Sequence, residues 1–143
     1  MGMVKTEITL KNAWDEGNVH KGLIKPEAVR SVTITAIADT GAMYLVINEE
    51  MREKLGLSVI EKRMANTANG QKVQCNMTEP VFVYWKERRT SCSAAVIPGA
   101  KYILLGAIPL EGMDLMVNPV TQELEGAHGD EVVFPLLSYY MEH

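Results

Sequence analysis

A mostly β, barrel-like fold is predicted by three features of this chain of 143 residues. Short runs of alternating or continuously apolar residues recur along its length. Clusters of Gly, Pro, Asn and Asp separate them at the spacing of roughly 8–12 residues that marks sandwiches and barrels. Only one segment, near residue 50, carries a full set of helix start and stop signals.

Val4, Thr6, Ile8 and Leu10 alternate with charged or polar neighbours, which predicts a first strand. Asn12 to Pro26 is polar, carries Gly17 and Gly22, and reads as a loop with a short strand around His20 to Ile24. Ser31 to Ala38 is the next strand, and Leu45 to Ile47 another. Asn48 can cap a helix, Glu49 and Glu50 suit its first turn, and Gly56 fits its C-terminal stop. Val59 to Met64 then returns to strand. The stretch Ala65 to Gln71 is turn-prone, and Asn69-Gly70 should tip a β-hairpin whose second arm starts at Lys72 to Cys75.

Val81 to Trp85 forms a further strand, Lys86 to Arg89 a polar turn, and Ser93 to Ile97 the strand after it. Arg88 and Arg89 read as the solvated end of that hairpin. Pro98-Gly99 breaks the chain before Ile103-Leu104-Leu105-Gly106. Ala107 to Met113 is helical or turn, leading into Asp114 to Val117 and a loop at Asn118-Pro119. Residues 121 to 143 hold short strands and a tail.

A chain of this length can form one domain over residues 1–143 and bury about two-thirds of its unfolded surface. Its composition, 47% apolar and 22% charged, is ordinary for a soluble protein. The net charge of −4 argues against a nucleic-acid or anionic-membrane partner, either of which favours a basic face. No apolar run approaches the roughly 20 residues that span a bilayer. The first residues lack the apolar core of a signal peptide, so a cytoplasmic location is expected.

Cys75 and Cys92 are the only cysteines, lie in strand-like segments and read as free thiols. Nine methionines are best read as core fillers. His20, His128 and His143 are scattered without ligand spacing. No zinc motif, phosphate loop, or Ser-His-Asp or Cys-His pattern appears, so neither metal nor cofactor is expected.

The most chemically loaded position is Asp39. It follows a strand directly, in Ala38-Asp39-Thr40-Gly41-Ala42, so that a rigid element delivers one carboxylate to a tight turn. Gly41 permits a backbone path that a Cβ would hinder, and Thr40 offers a hydroxyl. The plainer role of such an aspartate is to bond its own backbone, the commonest job of Asp before Gly in turns.

This pentapeptide resembles the active-site signature of retropepsin-like aspartic proteases. Tyr102-Ile103-Leu104-Leu105-Gly106 is similar to the hydrophobic-hydrophobic-Gly segment that closes such a domain beside the catalytic turn, and Gly106 follows Asp39 by the separation that resemblance requires. The resemblance covers roughly residues 28 to 120, leaving an N-terminal extension and a C-terminal tail. It implies a closed β-barrel of the acid protease fold and a cofactor-free endopeptidase acting on an extended peptide.

The family needs two carboxylates that share a proton, and this chain holds a single Asp-Thr-Gly. Asp15, Asp114 and Asp130 lack a matching context, and Asp114 reads as structural. The resemblance therefore implies a homodimer in which Asp39, Thr40 and Gly41 of each copy form the catalytic turns, with Thr40 interlocking them. Ala42, Leu104, Leu105 and Gly106 would support the site. The hairpin tip Ala68, Asn69 and Gly70 takes the place of the family's flap over substrate. It departs from the viral pattern in having a single glycine, and Ala107-Ile108 replaces the Arg that viral enzymes place after the closing segment. The alternatives are a non-catalytic dimeric peptide-binding or scaffolding module of the same fold, and an unrelated β-barrel interaction domain.

Overall fold

A computed structural model describes residues 3–136. The strands are β1 (Val4–Asn12), β2 (Ser31–Ala38), β3 (Leu45–Ile47), β4 (Val59–Asn66), β5 (Lys72–Trp85), β6 (Arg88–Val96), β7 (Ile103–Leu105), β8 (Leu115–Asn118) and β9 (Glu123–Gly126). Three short helices are α1 (Ala13–His20), α2 (Glu49–Leu55) and α3 (Ala107–Gly112). Seven strands form one sheet in the order β1-β2-β7-β3-β6-β5-β4, and β1 also pairs with β5. That last pairing closes six of them into a barrel, with β4 left outside the ring as an edge. β8 and β9 form a separate hairpin.

The barrel closes because β1 is long enough to serve two neighbours. All of it from Val4 to Lys11 pairs with β2, while Thr9 to Asn12 also pairs with Tyr84 to Val81. Its alternation does what the sequence predicts: Ile8 and Leu10 are buried while Lys5 and Glu7 are exposed. Inside the ring they meet Leu45, Ile47, Val81, Val83, Val96 and Leu105. Leu55 and Leu57 from α2 and its exit, with Met113, plug the barrel.

Helix α2 follows its caps. Asn48 accepts the Met51 amide at 2.9 Å, and Gly56 leaves the helix with φ of 63°. The segment after β1 differs from expectation: α1 stands where a loop and a strand near His20 were predicted. Gly17 inside it costs on the order of 1 kcal/mol of propensity, which hid the helix from a local reading. Long-range bonds offset that cost. Asn12 Oδ1 accepts the Trp14 and Asp15 amides at 3.0 and 3.1 Å, and its Nδ2 donates to the Leu55 carbonyl at 2.9 Å. The buried Asp15 carboxylate accepts the Arg30 backbone amide and two of its guanidinium donors at 2.9–3.0 Å, and the side-chain hydrogen bonds from Arg30 hold that carboxyl below its usual range.

The second correction concerns β5, one strand of 14 residues where two were predicted. Its register shifts between Met77 and Pro80, so the proline, which has no amide to donate, sits at the irregularity. Thr78 makes good the lost ladder bond: its buried hydroxyl accepts the Ala94 amide at 3.0 Å and donates to the Glu79 carbonyl at 2.7 Å. The β4–β5 hairpin forms as predicted, but its loop runs from Thr67 to Gln71. Gly70 has φ of 83° while Ala68 and Asn69 keep negative φ, so the tip is not the two-residue turn that Asn-Gly favours.

Arg88 is a third correction. It opens β6 half-buried, donating to the carbonyls of Met113 and Asp114 at 2.8 and 2.9 Å and to that of Gly129, so it clamps the segment after α3. Arg89 alone stays exposed, over the Phe82 ring. Both cysteines are free thiols, and burial pushes the Cys92 thiol up to about 11. The predicted C-terminal tail beyond residue 136, with His143, lies outside the described residues.

Candidate active site

The parallel pairing of β2 with β7 places the Asp39 turn beside the segment closing at Gly106, with Ala38 opposite Leu105. From there the turn is fixed through its backbone. The Asp39 amide donates to the Leu105 carbonyl at 3.0 Å, and the Ala42 amide returns to the Asp39 carbonyl at 3.1 Å. The Ala107 amide donates to Ala42 and the Ile108 amide to Met43, both at 2.8 Å. These crossings leave no space at Gly106, where a Cβ would collide with the carbonyl oxygens of Tyr44 and Ala42. Ala42, Leu104, Leu105 and Gly106, predicted as supports, are thus brought to the Asp39 turn.

Asp39 itself is half-buried, and Thr40 and Gly41 are exposed. Its Oδ1 accepts the Gly41 amide at 2.9 Å, the local bond expected of a turn aspartate. Among the described residues no protein donor engages Oδ2. The carboxylate is oriented by one bond and keeps one oxygen open.

Beside the turn lies a cavity of about 710 Å³, within the usual range for ligand sites. Gly41, Ala42, Met43 and Tyr44 form its near wall. Its floor is the outward face of the barrel strands, where Val46, Leu104, Ala95, Cys75 and Met77 are all apolar or nearly so. Its roof is the β4 arm of the hairpin from Arg63 to Thr67. The tip residues Ala68, Asn69 and Gly70 project past the cavity and do not line it.

Of that floor only Leu104 was singled out from the sequence, although a signal for the rest was present. Leu45-Val46-Ile47, Ala94-Ala95-Val96 and Ile103-Leu104-Leu105 are continuously apolar where a strand with one wet face alternates. One set of side chains fills the barrel, and the other forms a second apolar cluster around Cys75, Met77 and Ala95 under Tyr44, Ala65 and Ile97. Continuous runs of this kind mark a sheet that is covered on both faces.

The other candidate acid, Asp114, is committed elsewhere. It holds φ of 53°, its carboxylate accepts the Val133 amide at 3.0 Å, and it pairs with His128 Nδ1 at 2.7 Å. That His128 bond holds its carboxyl below the usual range. Among the described residues no three His, Cys, Asp or Glu side chains cluster as a metal site needs, and no helix is long and apolar enough to cross a membrane.

Comparison with known proteins bears on the same segment. A family model described as aspartyl protease matches residues 26–130, which span β2, the Asp39 turn, the hairpin, β7 and α3. No curated protein matches the chain.

Proposed function

Because this chain belongs to the retropepsin-like aspartyl protease family, we propose that it is an aspartic endopeptidase, assembled as a homodimer, with Asp39 of each copy as its catalytic acid. The observation that carries this reading is the Asp39 turn: a carboxylate on a turn clamped through backbone bonds to Leu105, with one oxygen open, beside an apolar groove that Gly41 to Tyr44 of the same turn help to line.

One turn supplies one carboxylate, and the reaction uses two in different protonation states. At about 3 Å two anions repel by roughly 5 kcal/mol even at an effective dielectric near 20, so the pair holds one proton between them. The ionised member takes a proton from water as the water oxygen attacks the scissile carbonyl carbon. The protonated member gives its proton to the carbonyl oxygen. Collapse of the tetrahedral intermediate breaks the C–N bond: the proton taken from water passes to the departing amine nitrogen, and a hydroxyl of the intermediate returns its proton to the other carboxylate as C=O re-forms.

A two-fold axis beside the turn supplies the second acid from the second copy. Exposed groups around the turn suit that contact: Thr40 and Gly41, with Ile108 at 39% exposure. The hairpin then lies over an extended peptide, with its unpaired edge offering backbone groups.

Incubation with unstructured peptides across a dilution series tests the proposal. Activity per chain should rise with concentration, level off as the dimer saturates, and be blocked by a statine-type transition-state analogue. Excess Asp39→Asn protein should poison wild-type activity through mixed dimers. Activity per chain that stays constant down to concentrations where sedimentation shows only monomer would overturn the two-copy site. Peptide binding without cleavage at any concentration or pH would favour a binding module of this fold.

A further inference from the structure

The groove beside Asp39 is apolar in its floor, yet both ionised side chains among its lining are cations, Arg63 on β4 and Lys101 ahead of β7. In a chain with 18 acidic and 14 basic residues, that lining does not follow the balance of the whole. Arg63 is held in place. Its guanidinium lies over the Tyr44 ring, 5.7 Å from the centroid, and Nη1 donates to the Tyr44 hydroxyl. Tyr44 in turn packs against the cluster of Cys75, Met77 and Ala95. Among the described residues the one acidic partner of Arg63 is Glu61 on the same strand, with Nε and Oε1 3.2 Å apart and both side chains about half exposed. An exposed pair of that kind is weak and yields readily to a competing carboxylate. The planar guanidinium keeps Nη2 for such a ligand, and Arg suits carboxylates because its donors form a fork.

We propose that the groove selects peptides carrying a bulky apolar side chain together with a carboxylate side chain, and that Arg63 and Lys101 are the residues reading the carboxylate. The occupant is taken to be an extended peptide, which rests on the peptidase reading. On such a peptide, side chains two residues apart share a face about 6.8 Å apart, so the recognised pattern is apolar-x-acidic in one direction or the other. The apolar member enters between Met43, Met64 and Met77, whose unbranched side chains adapt to different shapes. The acidic member remains at the mouth, where docking removes water and strengthens its attraction to Arg63 and Lys101.

Binding is measured on the Asp39→Asn protein by fluorescence anisotropy, so that affinity is read without turnover. The probes are extended peptides blocked at both ends and bearing Leu-x-Glu, Leu-x-Gln or Leu-x-Lys in both orders, with a free-carboxylate Leu-x-Gln peptide beside them. The Glu peptide should bind roughly fivefold more tightly than its Gln counterpart, and that advantage should shrink in 0.5 M salt. It should vanish in the Arg63→Gln/Lys101→Gln double variant and reverse toward Lys in Arg63→Glu. Arg63 is exposed on an edge strand, so these variants should fold, and a circular dichroism spectrum and melting temperature like those of the Asp39→Asn protein check that they do.

Equal binding of the Glu and Gln peptides, no binding of any of them, or a gain confined to the free C-terminal carboxylate each overturns the assignment. Cleavage by the wild-type protein is followed separately. Cleavage without acid preference sinks the selectivity and leaves the peptidase reading, whereas acid-selective binding without cleavage does the reverse.

Discussion

Asp39 and Asp114 each lie in the turn that follows a secondary-structure element, β2 and α3 respectively, and they are used in opposite ways. The Asp114 carboxylate is consumed by its fold: it holds His128 and the Val133 amide, and its backbone takes the left-handed conformation that Asp tolerates better than most residues. The Asp39 turn is held by main-chain bonds among Asp39, Leu105, Ala42 and Ala107, and its carboxylate contributes one local bond. An acid is available for chemistry where the backbone supports the turn without it. Each substitution below tests that distinction, beginning with the largest effect.

Asp39→Asn keeps the side chain's size and can still accept the Gly41 amide, so the fold should survive with a melting temperature close to wild type. Asn cannot take a proton from water, and peptidase activity should fall by at least about 100-fold, the lower range for losing a general base. Asp114→Asn should show the converse pattern, with kcat/KM little changed and a lowered melting temperature. An Asp39→Asn protein that is badly destabilised, or an Asp114→Asn protein without activity but fully folded, would erase the distinction.

Gly106→Ala attacks the backbone lattice itself. The added methyl meets two carbonyl oxygens of the neighbouring turn, neither of which can move without breaking a bond to Ala107 or displacing β3. We expect a loss of about 3 kcal/mol in denaturant unfolding, the upper part of the range for overpacking. A loss under about 1 kcal/mol would show that the turn is softer than this packing implies.

Asp15→Ala should cost about 1–3 kcal/mol, since three bonds from Arg30 are lost while the half-exposed guanidinium can return to water. Peptide binding at the groove should not change.

Acid stability sharpens the comparison last. The folded-state values of Asp15 and Asp114 both lie below the ordinary 3.8, so their contributions are fully present above that value and disappear as pH falls through the lowered one. The melting temperature should therefore be insensitive to these two groups from about pH 8 to 5 and decline below about pH 4, with a shallower decline in Asp15→Asn. An unchanged acid decline in that variant would remove Asp15 from the explanation.

Much of the site's frame was legible in the sequence because it is written locally. Ser31–Ala38 and Leu45–Ile47 emerge with the boundaries their apolar patterns give, and Asn48 and Gly56 cap α2 by bonds that span only a few residues. The Asp39 turn and the glycine at 106 were likewise readable, as was their proximity once the family resemblance was seen. The cavity was not. Whether Val46 or Leu104 faces the core or a groove depends on which strands lie to either side, and a continuous apolar run says only that both faces are covered.

The sequence by itself determined a mostly β chain with one acid at a strand-end turn, because strand alternation, helix caps and turn residues act over a few positions. The tertiary structure alone decided that Asn12 and Asp15 build a helix, that β5 runs unbroken through Pro80, and that Arg63 and Lys101 border an apolar groove. Each of these depends on partners far away in the sequence: Leu55 for Asn12, Arg30 for Asp15, Ala94 for Thr78 and Tyr44 for Arg63. Such contacts form only when the barrel closes, and no local preference encodes them.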